Sequence, residues 1–143
     1  MFDAAAAGHP VVFGSRFSRL SVLLNYPFMK ILSNRAVHVI AQFALLRRFR
    51  DVTNNLKLMR RDVVDRLVLT RSGFAVNAEI GLQTVIMGHT AEEVPIAWID
   101  RTFDMGTSSF GVVRSGGGYL KVLWNGLRAR LFGSGPYASL SSR

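Results

Sequence analysis

The chain has 143 residues, enough for one domain with a buried core and too few to presume two. Its 18 Lys and Arg residues outnumber 9 Asp and Glu residues, for a net charge of +9, yet 49% of the residues are hydrophobic and the mean hydropathy is +0.23. Nucleic-acid-binding proteins generally carry such charge on a more polar chain, so this composition suits an anionic membrane surface at least as well. The absence of cysteine excludes disulfides, thiolate nucleophiles and zinc–thiolate sites.

No apolar run reaches the roughly 18 residues that a membrane-spanning helix needs. The longest candidate, AVHVIAQFALL, is interrupted by His38 and Gln42. The N-terminal stretch MFDAAAAGHP has neither the basic start nor the apolar centre of a secretory signal. We therefore expect a cytoplasmic protein that lies peripherally at the cytoplasmic face of a membrane. The histidines, His9, His38 and His89, lack the spacing of metal ligands.

The first half of the chain predicts a strand and a helix. HPVVFGSRF is a short β-branched and aromatic run, which predicts a buried strand followed by a turn that carries Ser15 and Arg16. Residues 29–48 predict an amphipathic helix, with His38 on its solvated polar face. The predicted apolar face of that helix consists of Leu32, Ala36, Val39, Phe43 and Leu46.

The second half predicts two more helices and a strand. One helix is expected near 61–69, after a short Leu56/Leu58 alternation, and another is expected between a capping Asn77 and a terminating Gly88, with Glu79 complementing its dipole. A strand follows, in which Val94, Ile96 and Trp98 point one way.

The stretch GGGYLKVLWNGLRARLF predicts a basic amphipathic helix near the end of the chain. Its apolar residues recur at helical spacing: Leu120, Leu123, Trp124, Leu127 and Leu131. Such a helix lies along a membrane surface or packs on its own domain, and spacing alone leaves both open. We expect the domain to span 1–132 and residues 133–143 to form a polar, disordered tail.

The stretch EEVPIAWIDRTFDMGTSSF runs from an apolar strand into an arginine and a loop of small residues. The guanidinium of Arg101 suits phosphate oxygens, and a loop built from Gly106, Ser108 and Ser109 lets backbone N–H groups approach the same anion. The stretch therefore predicts a phosphate site. A surface arginine beside an ordinary loop is the alternative.

Four pieces of the chain, taken in order, resemble the C-terminal part of family-2 glycosyltransferases. They are VVFGSRF, DVTNNLKLMRRDVV, SGFAVNAEIGLQTVIMGHTAEEVPIAWIDR and GTSSF, and the resemblance covers residues from about 9 to 124. The branch it resembles moves a sugar onto a polyprenyl phosphate, as dolichol-phosphate mannosyltransferases do.

The resemblance implies part of a Rossmann-like GT-A α/β fold that lacks its N-terminal nucleotide-binding strands. In that family an Asp-x-Asp motif holds a divalent metal, Mg or Mn, and MFDAAAAG contains no such motif. The implied partners are a nucleotide sugar, a polyprenyl or dolichyl phosphate acceptor and an anionic membrane surface. We therefore expect a glycosyltransferase fragment that is inactive by itself.

The resemblance also implies which residues bind the acceptor phosphate: Arg16, Lys30, Ser33, Arg101 and Ser108. A phosphate that attacks an anomeric carbon needs positioning and charge neutralisation more than a strong base. Asp51 takes the place of an acidic residue near the active site and is expected to orient it, although an Asp before a turn is also a common cap. Ser109 stands where the family has a basic residue, which Arg114 could replace.

A non-catalytic basic module that binds a membrane or nucleic acid is the alternative function. Its affinity would fall steeply with salt and depend little on any one arginine. The chain has no aromatic-and-basic interleaving and no nucleic-acid reader motif, so no nucleic-acid partner is expected.

Overall fold

The computed structural model describes residues 1–100 and 112–140, with the backbone alone at 112–115. The described part of the chain is mixed α/β, as predicted, and its small sheets are consistent with part of a Rossmann-like domain. In chain order its elements are helix α1 Phe2–Ala6, strand β1 Val11–Ser15, strand β2 Val22–Leu24, helix α2 Phe28–Leu45, strand β3 Lys57–Met59, helix α3 Arg61–Val64, helix α4 Ala75–Ile86, strand β4 Glu92–Pro95, strand β5 Ala97–Ile99, helix α5 Val112–Phe132 and a 3-10 helix Ala138–Leu140.

Strand β1 lies at the centre of a three-stranded sheet in the order β3-β1-β4, antiparallel to β3 and parallel to β4. All five of its residues are buried, in keeping with its β-branched and aromatic composition. Strands β2 and β5 form a separate parallel pair. Ile96 connects the two sheets, because its N–H donates to Ser15 of β1 and its carbonyl accepts from Val22 of β2. The strand predicted around Ile96 is therefore two short strands.

Helix α2 forms where it was predicted, but it turns the opposite face to the core. Its buried residues are His38, Ala41 and Leu45, while the predicted core residues are exposed: Leu32, Ala36, Val39, Phe43 and Leu46. The expectation of a solvated His38 was wrong, because both of its ring nitrogens have partners inside the protein. Nδ1 lies 2.7 Å from the Asn34 carbonyl, and Nε2 accepts the Val52 N–H at 3.0 Å.

Helices α3 and α4 differ from their predictions in detail. Helix α3 ends at Val64, short of the expected residue 69, and Asn77 lies inside α4 instead of capping it. Gly88, with φ of +85°, does follow the helix end as expected. Glu79, which was expected to complement the dipole of this helix, is fully buried and accepts hydrogen bonds from the backbone and hydroxyl of Thr70.

In helix α5, only part of the predicted apolar face is buried. Leu123 is buried, but Leu120, Trp124 and Leu131 are each more than half exposed, and Asn125, predicted on the polar side, is buried. The helix packs on α4 and α2 through the face that includes Asn125.

The segment that follows α5 corrects the expectation of a disordered tail, as far as residue 140. The side chain of Tyr137 is fully buried, and its hydroxyl donates to Glu79 Oε1 at 2.6 Å. Leu140 is also buried. The sequence GSGPYASL is mostly polar, but the burial of Tyr137 and Leu140 is enough to anchor this segment against the core.

Candidate functional site

A cavity of about 210 Å³ lies beside the start of α2 and the end of β5. It is lined by charged, amide, hydroxyl and aromatic side chains, among them Arg16, Lys30, Ser33, Asn34, Thr53, Asp100, Tyr26, Phe74, Trp98 and Tyr119. A mostly apolar concavity with a few converging polar groups is the usual form of a small-molecule site. The cavity brings together Arg16, Lys30 and Ser33, the three predicted phosphate-binding residues that lie in the described part of the chain.

Arg16 follows directly after β1 and forms a buried two-point ion pair with Asp51. Its Nε donates to Asp51 Oδ2 at 2.7 Å, and its Nη2 donates to Oδ1 at 2.8 Å. Burial opposes ionisation of Asp51, but the hydrogen bonds and charge of Arg16 outweigh it and hold the pKa of that carboxyl below its usual value. Asp51 is therefore an anion that fixes the position and charge of Arg16.

Three elements hold the segment that carries Asp51. Helix α2 contributes His38, which accepts the N–H of Val52, and β4 contributes Glu93, which accepts the N–H of Asp51 at 3.1 Å. Helix α4 contributes Gly81, where an added Cβ would lie 2.1 Å from the Val52 carbonyl oxygen. Such close approach of two backbones requires glycine. The position of Asp51 is thus set by the whole fold and not by a local cap.

Lys30 and Ser33 lie in the first turns of α2, but both have partners already. Lys30 Nζ donates to Asp100 Oδ2 at 2.6 Å, and each side chain of this pair is 15% exposed. The Ser33 hydroxyl donates to the Met29 carbonyl at 2.7 Å. A phosphate group that enters the pocket therefore competes with Asp100 for Lys30, and it meets Ser33 only if the hydroxyl rotates.

Aromatic rings surround the guanidinium of Arg16. The Arg16 Cζ atom lies 5.5 Å from the ring centroids of Phe17 and Trp98 and 5.8 Å from that of Tyr26. Nη1 also donates to the Tyr26 hydroxyl at 3.0 Å. Such rings hold a cation in place and offer apolar surface to the same ligand.

The other predicted phosphate residues, Arg101 and Ser108, lie outside the described residues, as do Gly106 and Ser109 and the side chain of Arg114. Sequence reasoning missed several residues that line the pocket: Tyr26, Asn34, Thr53, Trp98, Asp100 and Tyr119. One signal was available for Asp100, because it immediately precedes the arginine that was singled out. No local pattern marks the others, which reach the pocket through tertiary packing.

Among the described residues, no three His, Asp or Glu side chains come together as a possible metal-ligand set. Over the same ranges, 1–100 and 112–140, no helix combines the length and apolar character needed to cross a bilayer.

Comparison with known proteins supports a distant relationship. The chain is 24% identical over 134 residues to the polyprenol monophosphomannose synthase of Mycolicibacterium smegmatis (strain ATCC 700084 / mc(2)155). The aligned region covers 92% of this chain and 50% of that protein. The chain thus spans about half the length of this relative. No protein-family model and no solved structure matches it. The relationship supports the resemblance to family-2 glycosyltransferases as a distant one.

Proposed function

We propose that this chain is the acceptor-binding part of a glycosyltransferase that transfers a sugar, from a nucleotide- or lipid-linked donor, to a polyprenyl or dolichyl phosphate at a membrane surface. One observation carries the proposal: Arg16 from the end of β1 and Lys30 and Ser33 from α2 line one pocket. The distant similarity to a polyprenol monophosphomannose synthase supports it.

The pocket suits both ends of such an acceptor. Arg16 and Lys30 supply positive charge for the phosphate, while Tyr26, Phe74 and Tyr119 supply apolar surface for the first isoprene unit. The mechanism needs no strong base here, because the acceptor phosphate is itself an ionised nucleophile. The pocket has to orient it and offset its charge. Asp51 acts by holding Arg16.

Binding of citronellyl phosphate, a short water-soluble isoprenoid phosphate, tests the proposal. Isothermal titration calorimetry of the 143-residue chain should give saturable binding, and Lys30→Met should weaken that binding by roughly tenfold, since a charge-assisted hydrogen bond is lost. Lys121→Met is the matched control, because Lys121 is an exposed lysine of α5 outside the pocket. Equal affinity for the uncharged alcohol citronellol would refute phosphate recognition.

A membrane-binding module without catalysis is the second candidate. It is favoured by exposed apolar side chains at the C-terminal end of α2, Phe43 in the helix and Leu46 directly after it, next to the exposed Arg47 and Arg48. The two functions are compatible, but they separate experimentally. Vesicle binding without any citronellyl phosphate binding would leave only the second.

A further inference from the structure

We propose that Trp98 binds the ligand's phosphate through its indole N–H group. This inference rests on the proposed function, because it adds a donor to the same pocket. It is carried by a hydrogen-bond inventory of Arg16 and Ser33, which shows how few donors these two predicted phosphate residues still offer.

Arg16 is nearly saturated by its protein partners. A guanidinium has five N–H donors, and hydrogen bonds to Asp51, Tyr26 and Thr53 use four of them. The hydroxyl of Ser33 donates its single hydrogen to the Met29 carbonyl. A phosphate that carries three terminal oxygens therefore needs donors beyond those two side chains.

The Trp98 indole N–H is a donor of the required kind. Nε1 is buried and has no hydrogen-bond partner among the described residues, and Trp98 lines the pocket on the strand that pairs with β2. Its ring centroid lies 5.5 Å from the Arg16 guanidinium carbon, so the indole is held beside the cation that attracts the anion. An indole nitrogen is only a donor, so its donor role does not depend on pH.

The energetics favour a phosphate partner. An unpaired buried donor is a cost in the free protein, because it has lost its hydrogen bonds to water and gained none from the protein. An anionic oxygen that reaches Nε1 removes this cost without displacing a competing hydrogen bond. Trp98→Phe keeps the aromatic contact with Arg16 but removes the donor, so it should weaken citronellyl phosphate binding by about tenfold.

The first test uses calorimetry with a matched pair of variants. Trp98→Phe should weaken citronellyl phosphate binding, whereas Trp124→Phe should leave it unchanged, because Trp124 lies 57% exposed on α5, outside the residues that line the pocket. If citronellyl phosphate binds the wild type and Trp98→Phe with equal affinity, the role of Trp98 is refuted while the proposed function stands. If the wild type does not bind it at all, both proposals fail.

The second test keeps Trp98 in place and does not depend on the folding of the Trp98→Phe variant. In the Trp124→Phe chain, Trp98 is the sole tryptophan, so the ¹H–¹⁵N spectrum contains one indole signal. Citronellyl phosphate should shift its proton downfield, as expected for a hydrogen bond to an anion. A parallel titration with inorganic phosphate tests whether the phosphate group alone causes the shift. A shift as large as that with citronellyl phosphate would mean that the phosphate group is enough for binding at Trp98. A shift of equal size with citronellol, or none with citronellyl phosphate, would overturn the role of Trp98.

Discussion

The guanidinium of Arg16 and the carboxylate of Asp51 form a two-point ion pair whose side chains are 9% and 0% exposed. The backbone N–H of Arg16 donates to the same carboxylate at 3.0 Å. Asp51 lies 35 residues away in sequence, so this pair connects the end of β1 to the segment after α2. The pair is thus both a structural connection and the electrostatic centre of the candidate site.

Replacing Asp51 should destabilise the fold strongly. Asp51→Asn leaves the Arg16 charge buried without a counter-ion, which we expect to lower the free energy of unfolding by about 3 kcal/mol in urea titrations. Asp62→Asn is the control, because Asp62 pairs with Arg60 on the exposed surface and should change stability little. Equal losses of stability in the two variants would show that the buried pair contributes no more to stability than the exposed one.

His38 should make stability depend on pH in the mildly acidic range. Burial lowers its pKa, and this outweighs the opposing effect of the hydrogen bond to Asn34. The unfolded chain protonates His38 near pH 6.5, while the folded chain does so only at lower pH. Stability is therefore retained above about pH 6.5 and lost as the pH falls towards the lowered pKa.

A comparison of His38→Gln with His9→Gln tests that dependence. Urea midpoints between pH 7 and pH 5 should fall less steeply for His38→Gln than for the wild type, because glutamine has no proton to bind. His9 is exposed, so its replacement should leave the slope unchanged. An unchanged slope in His38→Gln would assign the acid sensitivity to other groups.

The case of α2 shows what the sequence could and could not predict about the fold. Helical periodicity located the helix to within a few residues, because apolar side chains do recur at its spacing. Periodicity failed to identify the buried face, since it treats histidine as polar. Inside the protein His38 has a partner for each nitrogen, and its burial carries no unmet hydrogen bond. Only the tertiary position of Val52 reveals this.

The pocket, like α2, was predicted only in part. The resemblance to known glycosyltransferases implied Arg16, Lys30 and Ser33 as phosphate-binding residues, and the structure places all three at one pocket. It did not identify the side chains that occupy their hydrogen-bonding groups. Asp100 pairs with Lys30 across 70 residues of sequence, and such a contact leaves no local signal. Residue type and order therefore predicted that these three side chains come together, but not that Asp100 and Asp51 offset the charges of Lys30 and Arg16.

Two glycines should respond in opposite ways to alanine. Gly81→Ala places a Cβ against the Val52 carbonyl and should lower the melting temperature by several degrees, because backbone atoms must move. Gly117 lies inside α5, and no atom of the described residues comes within 4 Å of an added Cβ there, so Gly117→Ala should stabilise the helix by roughly 0.5–1 kcal/mol. Thermal unfolding measures both. Similar shifts for the two variants would contradict the close approach of α4 to the Asp51 segment.

Lys57 should produce a second pH dependence, on the alkaline side. Burial lowers its pKa to about 7, against about 10.5 in the unfolded chain. Between these values the unfolded chain binds a proton that the folded chain does not, so stability should rise as the pH increases from 7 to 10. Lys57→Met should reduce this rise in urea titrations and stabilise the protein at pH 7, whereas Lys121→Met should do neither. A rise of the wild-type size in Lys57→Met would place Lys57 in contact with water.

The outward apolar face of α2 should mediate membrane binding. Phe43 and Leu46 are 76% and 75% exposed, and the exposed Arg47 and Arg48 follow them directly, so apolar and basic groups meet at one end of the helix. This arrangement is typical of segments that insert side chains between anionic headgroups. Inserting one such side chain is worth about 2 kcal/mol, so the double substitution Phe43→Ser and Leu46→Ser should weaken binding to phosphatidylserine vesicles by more than tenfold.

Vesicle sedimentation at low and high salt separates insertion from simple charge attraction. Leu20→Ser is the matched control, because Leu20 is 78% exposed but lies in the turn before β2. An inserted face should leave residual vesicle binding at high salt, since screening weakens attraction to the headgroups but not the burial of apolar groups. Complete loss of binding at high salt, or equal losses for Leu20→Ser and the α2 double variant, would reduce the membrane contact to electrostatics. The exposed apolar face of α2 would then need another explanation.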